Sequence, residues 1–279
     1  MEKWPLGIFT SVGAGLGAGL GAVKEMGVPT VQLHAPPPDM ATGEHAAKFK
    51  KQFDDAGIAV TVVFSGFEGE SYADIPTVKK TVGLVPPETR AKRLEGAKRN
   101  SNFAKGLGCD ALGMHLGFIP EGKSDPNRAD VIAATRELCD HCAQNGQHFH
   151  LETGQETAEG LLGFIADVGK DNLAVNFDPA NMILYGSGEP IEALQKVGKH
   201  VRSCHCKDAT WSDKPGDTWG EETPLGKGDV NIEKFLQTLK AIGYDGALTI
   251  EREISGEEQK KDIAEAIALL KDLRAEILG

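Results

Sequence analysis

Four side chains able to bind a cation close four strand-like runs in the second half of the chain: Glu152 in HFHLETGQE, Asp178 in LAVNFDPANM, His205 in VRSCHCKDA and Glu251 in ALTIERE. In a strand alternate residues share a face, so His148, His150 and Glu152 point one way and Phe149 and Leu151 the other. The apolar pair suits a helix-covered face, which leaves a carboxylate among polar neighbours at the strand's C-terminal end. Each later run follows a Gly- or Asn-marked helix end and precedes turn or helix signals. Three carboxylates and an imidazole are donors that a hard or borderline divalent cation takes. The pattern predicts a metal centre of Glu152, Asp178, His205 and Glu251, provided that the chain brings the four strand ends together.

The elements that must do so alternate strictly. Strand signals cover residues 6–12, 30–34, 58–64, 111–116, the run from His148, then 173–178, 201–207 and 247–251. Helical patterns follow them, the first ending near Met26 and the others at residues 44–56, 90–107, 128–145, 157–168, 191–197, 232–242 and 257–277. Short, apolar, β-branched strands with a helix after each predict parallel pairing with right-handed connections. Eight such units close most economically into one (β/α)8 TIM barrel, a single domain over residues 1–279. An open doubly wound sheet is the fallback. In the barrel the chemistry lies at the C-terminal strand ends, and the four donors fall on strands five to eight, one arc of the mouth. Two connections are long and irregular, residues 65–89 with Tyr72 and 209–229 with its tryptophans. The first is a candidate for substrate contacts.

Composition narrows the partners. A chain of 279 residues with 40% hydrophobic content can bury a large core, and a net charge of −11 argues against a nucleic-acid partner. Five cysteines are an odd number without framework spacing, which fits free thiols in a reducing, cytoplasmic setting. Cys139 and Cys142 read as helix packing, and Cys204 and Cys206 face away from His205 on a strand. Residues 4–23 carry no charge yet are too rich in Gly and too poor in large aliphatics for a membrane segment. Gly13-Ala14-Gly15-Leu16-Gly17-Ala18 matches a loose dinucleotide fingerprint, but the second strand ends in His34-Ala35-Pro36 where an acid is wanted.

Further polar residues flank the predicted centre. Lys207 lies two residues beyond His205 on the same face and could hold a substrate oxygen or phosphate, or pair with a neighbouring acid. His115 is expected at the mouth on strand four, as a substrate contact or a core hydrogen bond. Gln155 and Asn181 stand just beyond their predicted ligands, placed to hydrogen-bond hydroxyls. His34 is a weaker candidate, and His148 and His150, deeper on strand five, read as core histidines.

The ordered set HLETGQE, NFDPANM, CHCKDA, PLGKGDVNIEKFLQTLKAIGYDG and LTIERE resembles the xylose isomerase-like TIM-barrel superfamily, the sugar phosphate isomerase/epimerase group, over essentially the whole chain. The resemblance implies that Glu152, Asp178, His205 and Glu251 bind one divalent metal, Mn, Mg or Co, with Zn a further candidate. It also implies that Glu152 and Glu251 form the proton-transfer pair while ligating the metal. Moving a proton beside a carbonyl generates an enediolate, whose charge a chelating metal stabilises as a Lewis acid. Sugar substrates and a homo-oligomer are implied too. Two positions depart from the ketose 3-epimerases of the group, which carry a His three residues after the metal-binding Asp and an Arg beyond the metal-binding His. Here Asn181 stands at the first, and CHCKDATW offers no Arg. The expectation is a metal-dependent sugar or sugar phosphate isomerase/epimerase, with a lyase acting on a keto-sugar or keto-glycoside as the alternative. An apurinic-site endonuclease of the same fold is disfavoured by eight histidines and the acidic charge. A non-catalytic sugar-binding barrel is disfavoured by the retention of both acids.

Overall fold

Leu6 of the first strand pairs with Leu248 of the last, and every neighbour in between is parallel, so the main sheet closes on itself. The structure, a computed structural model, describes residues 2–12 and 17–279. Gly13 to Leu16 of the fingerprint match lie outside the described residues. The barrel strands are β1 (Leu6–Ser11), β2 (Thr30–His34), β3 (Ala59–Phe64), β4 (Ala111–Met114), β5 (His148–Glu152), β6 (Leu173–Phe177), β7 (Val201–Cys206) and β8 (Leu248–Ile250). The enclosing helices are α1 (Leu20–Met26), α2 (Gly43–Asp55), α3 (Pro87–Leu107), α4 (Pro126–Gln144), α5 (Ala158–Val168), α6 (Pro190–Val197), α7 (Ile232–Ala241) and α8 (Glu257–Leu278). This is the expected eight-stranded barrel.

Local chemistry explains the boundaries. Thr42, Asp125, Thr157 and Asn231 each accept a backbone N–H from the first turn of α2, α4, α5 and α7. Helix α3 begins at Pro87, before the predicted Arg90, because proline suits a first turn whose N–H groups have no intrahelical partner. Strand β6 is buried throughout. Its Phe177 stacks on Phe235 of α7, ring centroids 6.2 Å apart, while Asn176 belongs to the barrel's interior network. The cysteines pack as expected. Burial pushes the Cys139 and Cys142 thiols up to about 12 and about 11, and Cys204 and Cys206 are fully buried in the apolar core.

The long connections hold more structure than their sequences suggest. The segment after β3 contains a helix, Ile75–Thr81, capped by Asp74. Its Glu70 carboxylate accepts the Phe67 N–H at 2.9 Å and the Gly83 N–H at 2.7 Å, cinching the loop that carries Tyr72. After β6 a helix, Pro179–Tyr185, starts at once, because Asp178 caps it and Pro179 takes its first position. After β7, Asp208–Thr210 pairs antiparallel with Glu221–Thr223. The Asp208 carboxylate ties down this hairpin by accepting N–H groups from Gly226, Gly228 and Val230 at 2.9, 3.0 and 3.1 Å. Among the described residues no helix is long and apolar enough to cross a membrane.

Candidate metal centre and substrate cavity

Parallel strands deliver their last side chains to one end of the barrel. Glu152, Asp178, His205 and Glu251 arrive there with one donor atom from each, all within 4.8 Å of one another. His205 is at the middle: its Nδ1 is 2.8 Å from Glu152 Oε1, 3.2 Å from Glu251 Oε2 and 3.3 Å from Asp178 Oδ2. Asp178 and His205 are fully buried, and Glu152 is 7% exposed.

Three buried carboxylates around one imidazole demand positive charge. Although burial opposes a charged ring, Glu251 and Glu152 hold the His205 proton well above the ordinary imidazole range. Burial alone would raise Glu251, yet the His205 and Lys207 charges hold its carboxyl below the usual range. A divalent cation with oxygen donors at about 2.0–2.6 Å places opposite donors about 4–5 Å apart, the span of this cluster. The donor set therefore fits such an ion.

The imidazole is oriented by a residue that sequence reasoning missed. His205 Nε2 donates to Gln32 Oε1 at 2.6 Å, and Gln32 Nε2 donates to Asn176 Oδ1 at 3.2 Å. Asn176 also accepts from the Ser203 hydroxyl at 2.6 Å, and Ser203 accepts from His150 Nδ1 at 2.8 Å. This chain through the barrel interior fixes the ring and leaves Nδ1 to face the carboxylates. Its signal was a lone amide in the apolar strand TVQLH. His150 is a core histidine, as expected, with burial lowering its pKa to about 3.

The flanking residues converge on the centre. His115 follows β4, and its Nε2 lies 3.1 Å from Glu152 Oε2, the oxygen turned away from His205. Gln155 Nε2 donates to His115 Nδ1 at 3.2 Å and to the Tyr185 hydroxyl at 3.1 Å. Asn181 Nδ2 donates to Glu152 Oε1 at 3.4 Å. Lys207 is fully buried and gives its three N–H bonds to Glu253 Oε1 at 2.6 Å, Glu251 Oε2 at 3.0 Å and Asn181 Oδ1 at 3.2 Å. It is ion-paired with both glutamates. Asp178 is locked by Thr153, whose hydroxyl accepts the Asp178 N–H at 2.8 Å and donates to its carbonyl at 2.9 Å. His34 stays outside the cluster, its Nδ1 donating to the Ala35 carbonyl at 2.9 Å.

Beside the cluster opens a cavity of about 250 Å³ whose walls include Tyr72, His115, Asn181, Tyr185, Trp219 and Glu253. Tyr72 comes from the loop after β3, with its ring 5.9 Å from His115. Trp219 comes from the β7 hairpin and packs 4.5 Å from Tyr185. A larger open groove of about 470 Å³ lies between α3 and α4 on the outer wall, not at the mouth.

Comparison with known proteins places this geometry. A family model described as xylose isomerase-like TIM barrel matches residues 20–273. The crystal structure of a xylose isomerase domain protein from Planctomyces limnophilus is 55% identical, covers 99% of both chains and superposes with a TM-score of 0.98. An L-ribulose 3-epimerase from Methylomonas sp. is 25% identical over 150 residues, 51% of this chain and 48% of that protein. An inosose dehydratase from Clostridium botulinum is 25% identical over 138 residues, 46% of this chain and 44% of that protein. The chain spans about half the length of the curated relatives it matches.

Proposed function

Because the chain belongs to the xylose isomerase-like TIM-barrel family, we propose that it is a divalent-metal-dependent enzyme that moves a proton beside the carbonyl of a sugar or sugar derivative, as an isomerase or epimerase. The observation that carries this reading is the donor cluster, in which two carboxylates from opposite ends of the arc, Glu152 and Glu251, approach the same imidazole nitrogen. Glu152, Asp178, His205 and Glu251 would hold the ion, Mn, Mg or Co by the preponderance of oxygen donors, with Zn next. Once bound, it would polarise the substrate carbonyl and offset the charge left by proton removal.

The chain's own residues supply the rest. Glu152 takes a proton from carbon on one side of the substrate and Glu251 returns one on the other. The His115 N–H steadies the Glu152 oxygen that faces away from His205. Lys207 keeps Glu251 ionised, and the Asn181 amide spans Glu152 and Lys207. Asn181 and Gln155 are the nearest amides for substrate hydroxyls. A homo-oligomeric, cytoplasmic enzyme built on this one barrel belongs to the same proposal.

The similarity to inosose dehydratase favours a second reading. The same proton removal, followed by loss of a β-substituent, makes the enzyme a lyase on a keto-sugar or keto-glycoside. One experiment separates the outcomes. Chelator-stripped protein is reloaded with Mn, Mg, Co or Zn singly and incubated with aldoses, ketoses and keto-sugars in deuterated water, then products are read by NMR. Metal-dependent deuterium uptake at one carbon, lost in Glu152→Gln and Glu251→Gln, is expected, and the product decides isomerase against lyase. Failure of the protein to bind any of the four metals would sink the proposal.

A further inference from the structure

An ammonium has three N–H donors, and in Lys207 all three are taken, by Glu253, Glu251 and Asn181. Two of these acceptors belong to or touch the donor cluster: Glu251 is a member, and Asn181 bonds to Glu152. The third, Glu253, does not: its side chain is 60% exposed and lines the cavity. The neighbouring Arg252 is also engaged, 3.1 Å from Glu222 and 2.9 Å from Asp262. Among the described residues no lysine or arginine lines the cavity, whereas Glu222 and Glu253 both do, and Glu222 accepts the Glu253 N–H at 3.0 Å.

At and just behind these walls two buried neutral polar atoms have no hydrogen-bond partner among the described residues. Gln155 is 7% exposed and its Oε1 is unpaired, as is Trp219 Nε1. Gln155 stands behind the wall, its Nε2 bonded to the lining residues His115 and Tyr185. The Tyr185–Trp219 pair offers an apolar face to a sugar ring.

We propose that Glu253 is a specificity-determining residue: by occupying the outward donor of Lys207 and adding negative charge to the cavity wall, it restricts the site to uncharged polyhydroxy substrates and rejects phosphate esters. The inference rests on the reading of the site as a metal-dependent sugar enzyme. Without Glu253, Lys207 keeps two partners and turns one donor toward the cavity, where a phosphate oxygen would take it.

The test titrates inorganic phosphate into the manganese-loaded protein by calorimetry, for wild type, Glu253→Ala and Glu253→Ser. Both variants alter a largely exposed side chain, and manganese affinity is measured on each. Phosphate is expected to bind both variants about ten- to a hundredfold more tightly than wild type, as one added charge-assisted hydrogen bond implies. Equal phosphate affinity in all three proteins, with manganese binding intact, overturns the role of Glu253 and leaves the metal-centre reading standing. Loss of manganese binding in wild type itself would instead count against that reading.

Discussion

Lys207 allows the electrostatics of the centre to be tested without touching a candidate metal donor. Its two carboxylate partners differ in kind. The Glu253 side chain is 60% exposed, so that arm is screened and contributes about 0–1 kcal/mol. The Glu251 side chain is 9% exposed, and removing the ammonium leaves a buried carboxylate short of a counter-charge while His205 is already shared among three acids. Breaking a buried pair in this way costs about 3–5 kcal/mol. Lys207→Met keeps the unbranched side chain to within one atom of its length and removes the charge. In metal-free protein it should therefore lower unfolding stability by about 3–5 kcal/mol, nearly all of it from the Glu251 arm. With manganese bound, the dication compensates Glu251, and the loss should shrink to about 1–2 kcal/mol, that of the remaining hydrogen bonds. Urea unfolding of both proteins in chelator and in excess manganese measures both quantities. Equal losses in the two conditions would refute the argument, as would a loss below about 1 kcal/mol without metal.

Other perturbations reach different parts of the structure. Burial pushes the Glu156 carboxyl up to about 8, against the help of the Ile119 N–H. The folded state thus keeps a proton that the unfolded chain releases above the ordinary carboxyl value of 4.5, and stability is full below that pH and declines as pH rises toward about 8. Glu156→Gln should flatten this decline in denaturation midpoints taken across the range. Manganese binding should release about one proton from His205 and tighten as pH rises, which calorimetry in buffers of different ionisation heat will detect. Asp208→Asn turns an N–H toward the backbone donors of the β7 hairpin, and losing one charge-assisted bond costs about 1.5–3 kcal/mol. Limited proteolysis should then cut sooner in residues 211–220 while manganese affinity holds. Gly57 and Gly83 share a left-handed backbone, but a Cβ at Gly57 meets nothing within 4 Å, whereas at Gly83 it would stand 2.0 Å from the Leu116 carbonyl. Gly57→Ala should cost about 1–2 kcal/mol and Gly83→Ala clearly more by thermal melting.

The arc of donors was legible because a barrel strand announces its end: the apolar run stops and one polar side chain follows. Glu152, Asp178, His205 and Glu251 each sat at such a stop, and strand order alone made them neighbours. Gln32 was not legible as an orienting residue, since its partner His205 is 173 positions away and an amide inside an apolar strand does not name its acceptor. Glu253 lay beyond the last strand, where alternation no longer says which way a side chain points. The Pro179–Tyr185 helix did carry its signal, an Asp cap followed by Pro. Its seven residues are too few for a periodic pattern, so turn and helix stay undistinguished there. The β7 hairpin depends on the Asp208 carboxylate gathering N–H groups about 20 residues downstream, which strand and helix propensities do not encode.

The pairing of Leu6 with Leu248 also governs the order in which this molecule becomes itself. A chain made from its N-terminus has seven barrel strands in hand, and two open sheet edges, before β8 appears. Glu251 is the residue immediately after β8, so the fourth donor of the centre arrives with the strand that seals the ring. A folding intermediate with an unsealed ring has only Glu152, Asp178 and His205 to offer a cation. Manganese present during refolding, if held as proposed, should therefore favour molecules whose ring has shut, drawing the population toward closure by mass action.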